Sequence, residues 1–199
     1  MATVGRSRCL PVPAAEDIYR IPVELYERLV ELAELDEDDR IELLNGMLVR
    51  KMTKNPPHQV CCELCRDEIA RILPAGFTVR SEGPVRIPDY SEPEPDLAVV
   101  RGRTRDYVDR HPEPADVALL VEVADSSLAR DRGEKRDIYA RAGIPIYWVV
   151  DLTARCVEVY TGPRDGAYAS TLVIAEDAAI DVVVEGEPWG RLVVAAILP

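Results

Sequence analysis

The 199-residue chain is short of aromatic carbon, with one phenylalanine, Phe77, and two tryptophans. Its core is therefore expected to be aliphatic. No apolar run approaches the roughly 20 residues that cross a bilayer, so no membrane-spanning helix is expected. Positive charge is in deficit: 24 lysines and arginines stand against 36 acidic residues, for a net charge of −12. That balance, with no basic stripe, argues against tight non-specific binding to nucleic acid. Histidine is scarce, with only His58 and His111, so a serine triad is poorly served. Neither GxGxxG nor a Walker sequence is present to cradle phosphate. Residues 1–17 hold Arg6 and Arg8, then two prolines, and no apolar stretch of the kind a secretory signal needs. Five cysteines, an odd number without such a signal, read as reduced thiols in a cytosol.

Charge is unevenly spread. Residues 16–45 hold 11 acidic and 3 basic residues, whereas residues 50–141 hold 17 and 16. The middle of the chain is thus near neutral and arginine-rich. At 199 residues the chain suits one domain, expected over 18–199 behind a loose arm, 1–17.

Leu25, Leu29, Leu32 and Leu35 follow Pro22 at helical spacing and predict an amphipathic helix of about three turns. Asn45-Gly46 between apolar runs predicts a hairpin. Pro56-Pro57-His58 opens a helix to about Leu73. Residues 95–100 and 117–124 read as buried strands, 129–142 as a helix ended by Gly143, and 144–151 as a third apolar strand. A further hairpin is expected around Gly162 and Gly166. Strand, loop, strand, helix, strand implies an α/β sheet with a parallel crossover.

Two of those strands carry acids that burial disfavours. Asp96 opens Asp-Leu-Ala-Val-Val, and Glu122 interrupts Val117 to Ala124. A lone buried carboxylate costs several kcal/mol or protonates. A divalent cation between two of them removes both penalties, and Mg²⁺ prefers such hard oxygen ligands. The competing reading is that each acid caps a strand, faces solvent or pairs with an arginine. On the following helix Asp131, Lys135 and Tyr139 share a face. Lys135 can swing toward the carboxylates, or pair with Asp131 inside the helix.

His58, Cys61, Cys62 and Cys65 also share a helix face. A single straight helix does not wrap an ion, so core-facing thiols are the simpler reading there. His58, near the hairpin, is either a helix-start hydrogen-bonding group or an accessory at the edge of a cleft.

Pro95-Asp96, Glu122-Val123, the Asp131–Lys135–Tyr139 helix and Tyr147-Trp-Val-Val-Asp151 together resemble the PD-(D/E)XK nuclease superfamily. More narrowly, they are similar to its large bacterial branch of restriction endonucleases of unknown function. The resemblance reaches upstream to Glu42–Gly46 and Pro57-His58, covering roughly 20–198. It implies a restriction-endonuclease-like fold: a mixed central sheet flanked by helices, here with an N-terminal helix and hairpin. It implies a Mg²⁺ site, with Mn²⁺ able to substitute, for hydrolysis of phosphodiester bonds in nucleic acid, DNA in particular. Asp96 and Glu122 match the two motif acids, and the Val123 carbonyl is a further ligand. Lys135 takes the place of the motif lysine, whose usual position here is Ala124. Glu42 matches an upstream acid that approaches the metal in some relatives. His58, Asp131 and Tyr139 are accessory.

The chain departs from the branch at Asp125-Ser-Ser-Leu128, where Ser-Pro-Ser-Thr is usual, and at Asn45, Met47 and Ile146, where acids are common. A cytosolic homodimer is expected, with the valines at 182–184 and 193–194 as an edge or apolar patch. The rival expectation is a catalytically silent module of the same fold that binds protein or nucleic acid.

Overall fold

A computed structural model describes residues 17–199. The arm expected at 1–17 lies, but for its last residue, outside them, as does Cys9. Helix α1 (Val23–Glu31) leads into a hairpin, β1 (Ile41–Leu44) and β2 (Met47–Arg50), followed by α2 (Pro56–Ile72) and β3 (Phe77–Ser81). β4 (Leu97–Arg101) and β5 (Val117–Ala124) come next. A broken helix then runs through α3 (Leu128–Arg130), a wide π-helical turn (Asp131–Lys135) and α4 (Arg136–Arg141). β6 (Ile146–Asp151), β7 (Cys156–Arg164), β8 (Ala167–Ala175), β9 (Ala179–Val184) and β10 (Glu187–Val193) complete the chain.

The central sheet has the order β3-β4-β5-β6-β7-β8. Only β5 and β6 run parallel, because the broken helix carries the chain back between them, whereas every other neighbour is antiparallel. This is the mixed α/β sheet expected from the sequence. One face packs against α2 and the β9–β10 hairpin, through Cys61, Cys65, Ile69, Leu119, Val121, Trp148, Val182 and Leu192. The other face meets the broken helix and Leu44 of the first hairpin.

Two expectations are revised. The buried face of α1 is Val23 and Tyr26, which close on Leu43, whereas Leu25 and Leu32 are exposed. Nine residues make too short a helix for the four-leucine stripe to govern its docking. Nor is the core purely aliphatic. Under α4, Tyr139, Tyr147, Tyr160 and Tyr168 form a layer of rings with centroids 5.0–6.3 Å apart. Tyrosine fills the volume that phenylalanine would, and the hydroxyls of Tyr139, Tyr147 and Tyr160 donate to buried acceptors, whereas that of Tyr168 has no partner among the described residues. The C-terminal valines offered as a dimer patch are partly used at home: Val182, Val184 and Val194 are buried, and Val183 and Val193 are exposed.

The first hairpin turns as its sequence requires. Asn45 has φ 48° and Gly46 φ 76°, the pair of left-handed residues of a type I′ turn. The turn also sits against the chain before α1: a Cβ on Gly46 would lie 2.6 Å from the Arg20 Cβ. Gly46→Ala should therefore cost on the order of 1–3 kcal/mol, from the left-handed backbone and the clash together. Urea unfolding of the variant checks this, with Gly76→Ala, where nothing lies within 4 Å, as the backbone-only control.

Candidate active site and metal cluster

The first hairpin, the start of α2, the ends of β4 and β5 and the broken helix enclose a cavity of about 810 Å³. Nine carboxylates line it against five lysines and arginines. The surplus of negative charge is what an anionic substrate would avoid and a cation would seek.

Asp96 precedes β4, one step beyond the pairing of Leu97 with Val121, and so sits opposite Glu122 on β5. Both are buried and both line the cavity. The amide of Val123 donates to Asp96 Oδ2 (2.8 Å), so Val123 reaches this carboxylate through its N–H. His58 Nε2 lies 3.3 Å from the same oxygen, and Lys54 Nζ lies 3.3 Å from Oδ1. Burial opposes ionisation of Asp96, but His58, Lys54 and the Val123 amide outweigh it and hold the carboxyl below its usual range.

Glu122 points to the helix side. Lys135 Nζ (2.9 Å) and the Tyr139 hydroxyl (2.9 Å) both donate to its Oε1. The same ammonium lies 3.0 Å from Glu42 Oε2, which also accepts from the Glu94 amide at 3.1 Å. Burial alone would lower the Lys135 pKa, yet Glu122, Glu42 and Asp131 hold it above the usual lysine range. The ammonium is therefore charged. Asp131 does not pair with Lys135 along the helix: its carboxylate accepts from Ser127 (2.5 Å), and its carbonyl accepts from Tyr147 (3.1 Å). Burial pushes its carboxyl up to about 6 despite Lys135 and Ser127. The wide turn at 131–135 directs these side chains inward; π-helical turns often occur at functional positions.

Asp96, Glu122, Lys135, Glu42, His58 and Asp131 thus share one cavity, and Tyr139 stands behind Glu122. Asp151 of the resembling motif does not join them; with Glu158 it pairs with Arg132.

Among the described residues, His58, Cys62 and Asp96 place a nitrogen, a sulfur and an oxygen within 4.8 Å of one another. This set is capable of coordinating a divalent metal. Glu42, Glu122 and Asp131 are not part of it, and Lys135 stands among them instead. Cys62 Sγ lies 3.5 Å from His58 Nδ1, so both ring nitrogens already have neighbours, and burial pushes the Cys62 thiol well up. The carboxylates that dominate the cavity suit a hard divalent cation.

Sequence reasoning placed His58 and Cys62 on one helix face but had no signal that Asp96 would complete the group. It also passed over Lys54, which carries no motif.

Two variants test the electrostatics. Lys135→Met leaves Glu42 and Glu122 facing each other without their shared cation. It should cost roughly 3–5 kcal/mol at pH 8 and less as the pH falls, since burial already raises the Glu122 carboxyl above its usual range, read by urea unfolding. Glu92, also lining the cavity, is buried, its Oε2 has no partner among the described residues, and burial pushes its carboxyl up to about 7. Its folded pKa lies above the unfolded one. The wild type therefore loses stability as pH rises from 4.5 through 7, with the full loss present above 7. Glu92→Gln should stabilise by on the order of 2 kcal/mol at pH 8.5, and the gain should fade toward pH 4.5 in parallel unfolding curves.

No curated protein matches the chain. A solved structure from Anabaena variabilis, described as "a putative nuclease belonging to DUF820", shares the fold. Its TM-score is 0.67 at 17% identity, and the match covers 85% of this chain and 96% of that one. Residues 23–189 match the family model "Uma2: Putative restriction endonuclease". That span holds the hairpin, Asp96, Glu122 and the broken helix, and on it the chain belongs to the Uma2 family of the PD-(D/E)XK-like nuclease fold.

Proposed function

We propose that this protein is a metal-dependent nuclease that hydrolyses phosphodiester bonds, with Mg²⁺ as its metal and Mn²⁺ able to substitute. The observation that carries the reading is the pair Asp96, just before β4, and Glu122 on β5, both buried at a cavity with surplus carboxylate. A divalent cation held there would lower the pKa of a bound water and polarise the scissile phosphate. Asp96 and Glu122 are its protein carboxylates in this reading, with the Val123 carbonyl as a further ligand and Glu42 in the outer shell. Lys135 orients the attacking water and offsets charge on the phosphate as it takes on a fifth oxygen. Tyr139 fixes the Glu122 carboxylate, His58 orients Asp96, and Asp131 adds negative charge beside Lys135. The substrate is nucleic acid, DNA in particular. Residues 18–199 act as one unit, and the protein works as a homodimer in the cytosol.

One observation favours a catalytically silent binding module instead. Lys135 already spans Glu42 and Glu122, and Asp96 already faces Lys54 and His58, so these acids have protein partners without a metal.

Calorimetric titration with Mn²⁺ and Mg²⁺, beside cleavage assays on single-stranded DNA, duplex DNA and RNA, separates the two. The nuclease reading expects saturable metal binding that Asp96→Asn and Glu122→Gln abolish. Each variant should lose on the order of 100-fold or more in cleavage while its circular dichroism stays native. A folded Asp96→Asn protein that still cleaves rules out that ligand. A wild type that binds no metal leaves the silent module.

A further inference from the structure

We propose that Lys54 binds substrate. Its ammonium pairs with Asp96, the carboxylate that the reading above assigns to a divalent cation, and it would exchange that carboxylate for a substrate phosphate when the cation binds. The inference rests on the metal-site reading above and assigns a role to a residue that reading does not use.

Asp96 is crowded. Its Oδ2 takes the Val123 amide and faces His58, and Oδ1 faces Lys54 Nζ at 3.3 Å. A cation can take Oδ1 only if that ammonium withdraws. The two lysines of the cavity differ in their freedom to do so. The Lys135 side chain is 6% exposed and clamped by two buried carboxylates. The Lys54 side chain is 30% exposed, on the link between β2 and α2, just before the Asn55 cap. Its other partner, Glu82 at 3.0 Å, is 57% exposed and gives a weak, screened attraction. Lys54 can therefore leave Asp96 by side-chain rotation alone.

Its surroundings favour a phosphate as the next partner. The same link carries Lys51, and Arg130 on α3 reaches over to the Arg50 carbonyl at 3.0 Å. Lys51, Lys54 and Arg130 all line the cavity, so they form a cationic wall beside the carboxylates. Lys51 is held by Glu94 (2.6 Å) and Arg130 stands 3.8 Å from Glu42, whereas Lys54 loses its buried partner when a cation binds. Positive charge is thus freed at the wall at the moment the metal neutralises Asp96. No bond is made or broken in the exchange.

The test is a Mn²⁺ titration by calorimetry of the wild type, Lys54→Met and Asp96→Asn. Beside it, single-stranded and duplex oligonucleotides are bound in Ca²⁺ over a range of salt. Lys54→Met should bind Mn²⁺ on the order of tenfold more tightly, because a competing unit charge is gone. It should bind oligonucleotide more weakly, with a log–log salt slope shallower by about one, and Lys54→Arg should restore the slope. Unchanged or weaker Mn²⁺ affinity in a folded Lys54→Met protein overturns the exchange, as does an unchanged salt slope. If Asp96→Asn abolishes Mn²⁺ binding but Lys54→Met does not tighten it, the exchange fails and the metal site survives. If neither wild type nor Lys54→Met binds Mn²⁺, both fall together.

Discussion

One ammonium group ties the site together. Lys135 Nζ meets Glu42 from the first hairpin and Glu122 from the central sheet, while its own backbone belongs to the helix that crosses from β5 to β6. Three elements, the first hairpin far in sequence from the other two, converge on a single charge. Desolvating such a group is expensive, and an apolar replacement of similar volume is often as stable. A buried ion pair is therefore weak as a source of net stability and strong as a constraint on geometry. Any register shift of the hairpin or slip of the helix would leave a carboxylate buried without its cation. The wide turn at 131–135 follows from the same demand. It places Asp131 and Lys135 over the end of β5, while α4 resumes in time to lay Tyr139 on Glu122 and Tyr147.

Asp96 is organised in the opposite way. Its partners are an amide on the neighbouring strand, a histidine one turn into α2 and a half-exposed lysine on a link. None is a locked counter-charge like Lys135. The side of the cavity nearest Asp96 is thus the one that can change partners, and the side nearest Glu122 is the rigid one. Asp96 stays below its usual carboxyl range through hydrogen bonds and nearby positive charge, and of its partners only Lys54 can leave by rotating its side chain.

Much of this was legible in the sequence because local chemistry dictated it. Asn45-Gly46 admits the type I′ turn, the run from Val117 to Ala124 is the whole of β5, and Asp96 and Glu122 stood out as acids in oily strands. The four-residue spacing of Lys135 and Tyr139 put both on one side chain, Glu122. What escaped depended on packing between distant elements. The face of α1 was misjudged because leucine spacing records amphipathicity but not which residues a short helix presents to a hairpin. The meeting of Cys62, His58 and Asp96 needed the angle between α2 and β4, which no spacing encodes. Lys54 sits in a link with no period at all. The tyrosine layer escaped because the scarcity of phenylalanine was taken as scarcity of rings.

The overall charge of −12 looks unsuited to a polyanionic substrate, yet the distribution matters more than the sum. Screening confines each exposed charge to roughly a Debye length, about 8 Å in physiological salt. Exposed acids that do not line the cavity, such as Glu31 and Glu34, therefore weigh little at its floor, whereas the carboxylates lining it act at close range and in lower dielectric. Those local acids, left uncompensated, would repel phosphate from the one place where chemistry is proposed. In the proposed reading a divalent cation would reverse that sign at a single point, so the surplus that repels an anion would make its entry conditional on the metal. A basic cleft would bind nucleic acid whether or not the catalytic ion were present. An acidic one lined also by Lys51, Lys54 and Arg130 would couple binding to readiness, and in the proposed reading the weak general affinity implied by the composition serves selectivity.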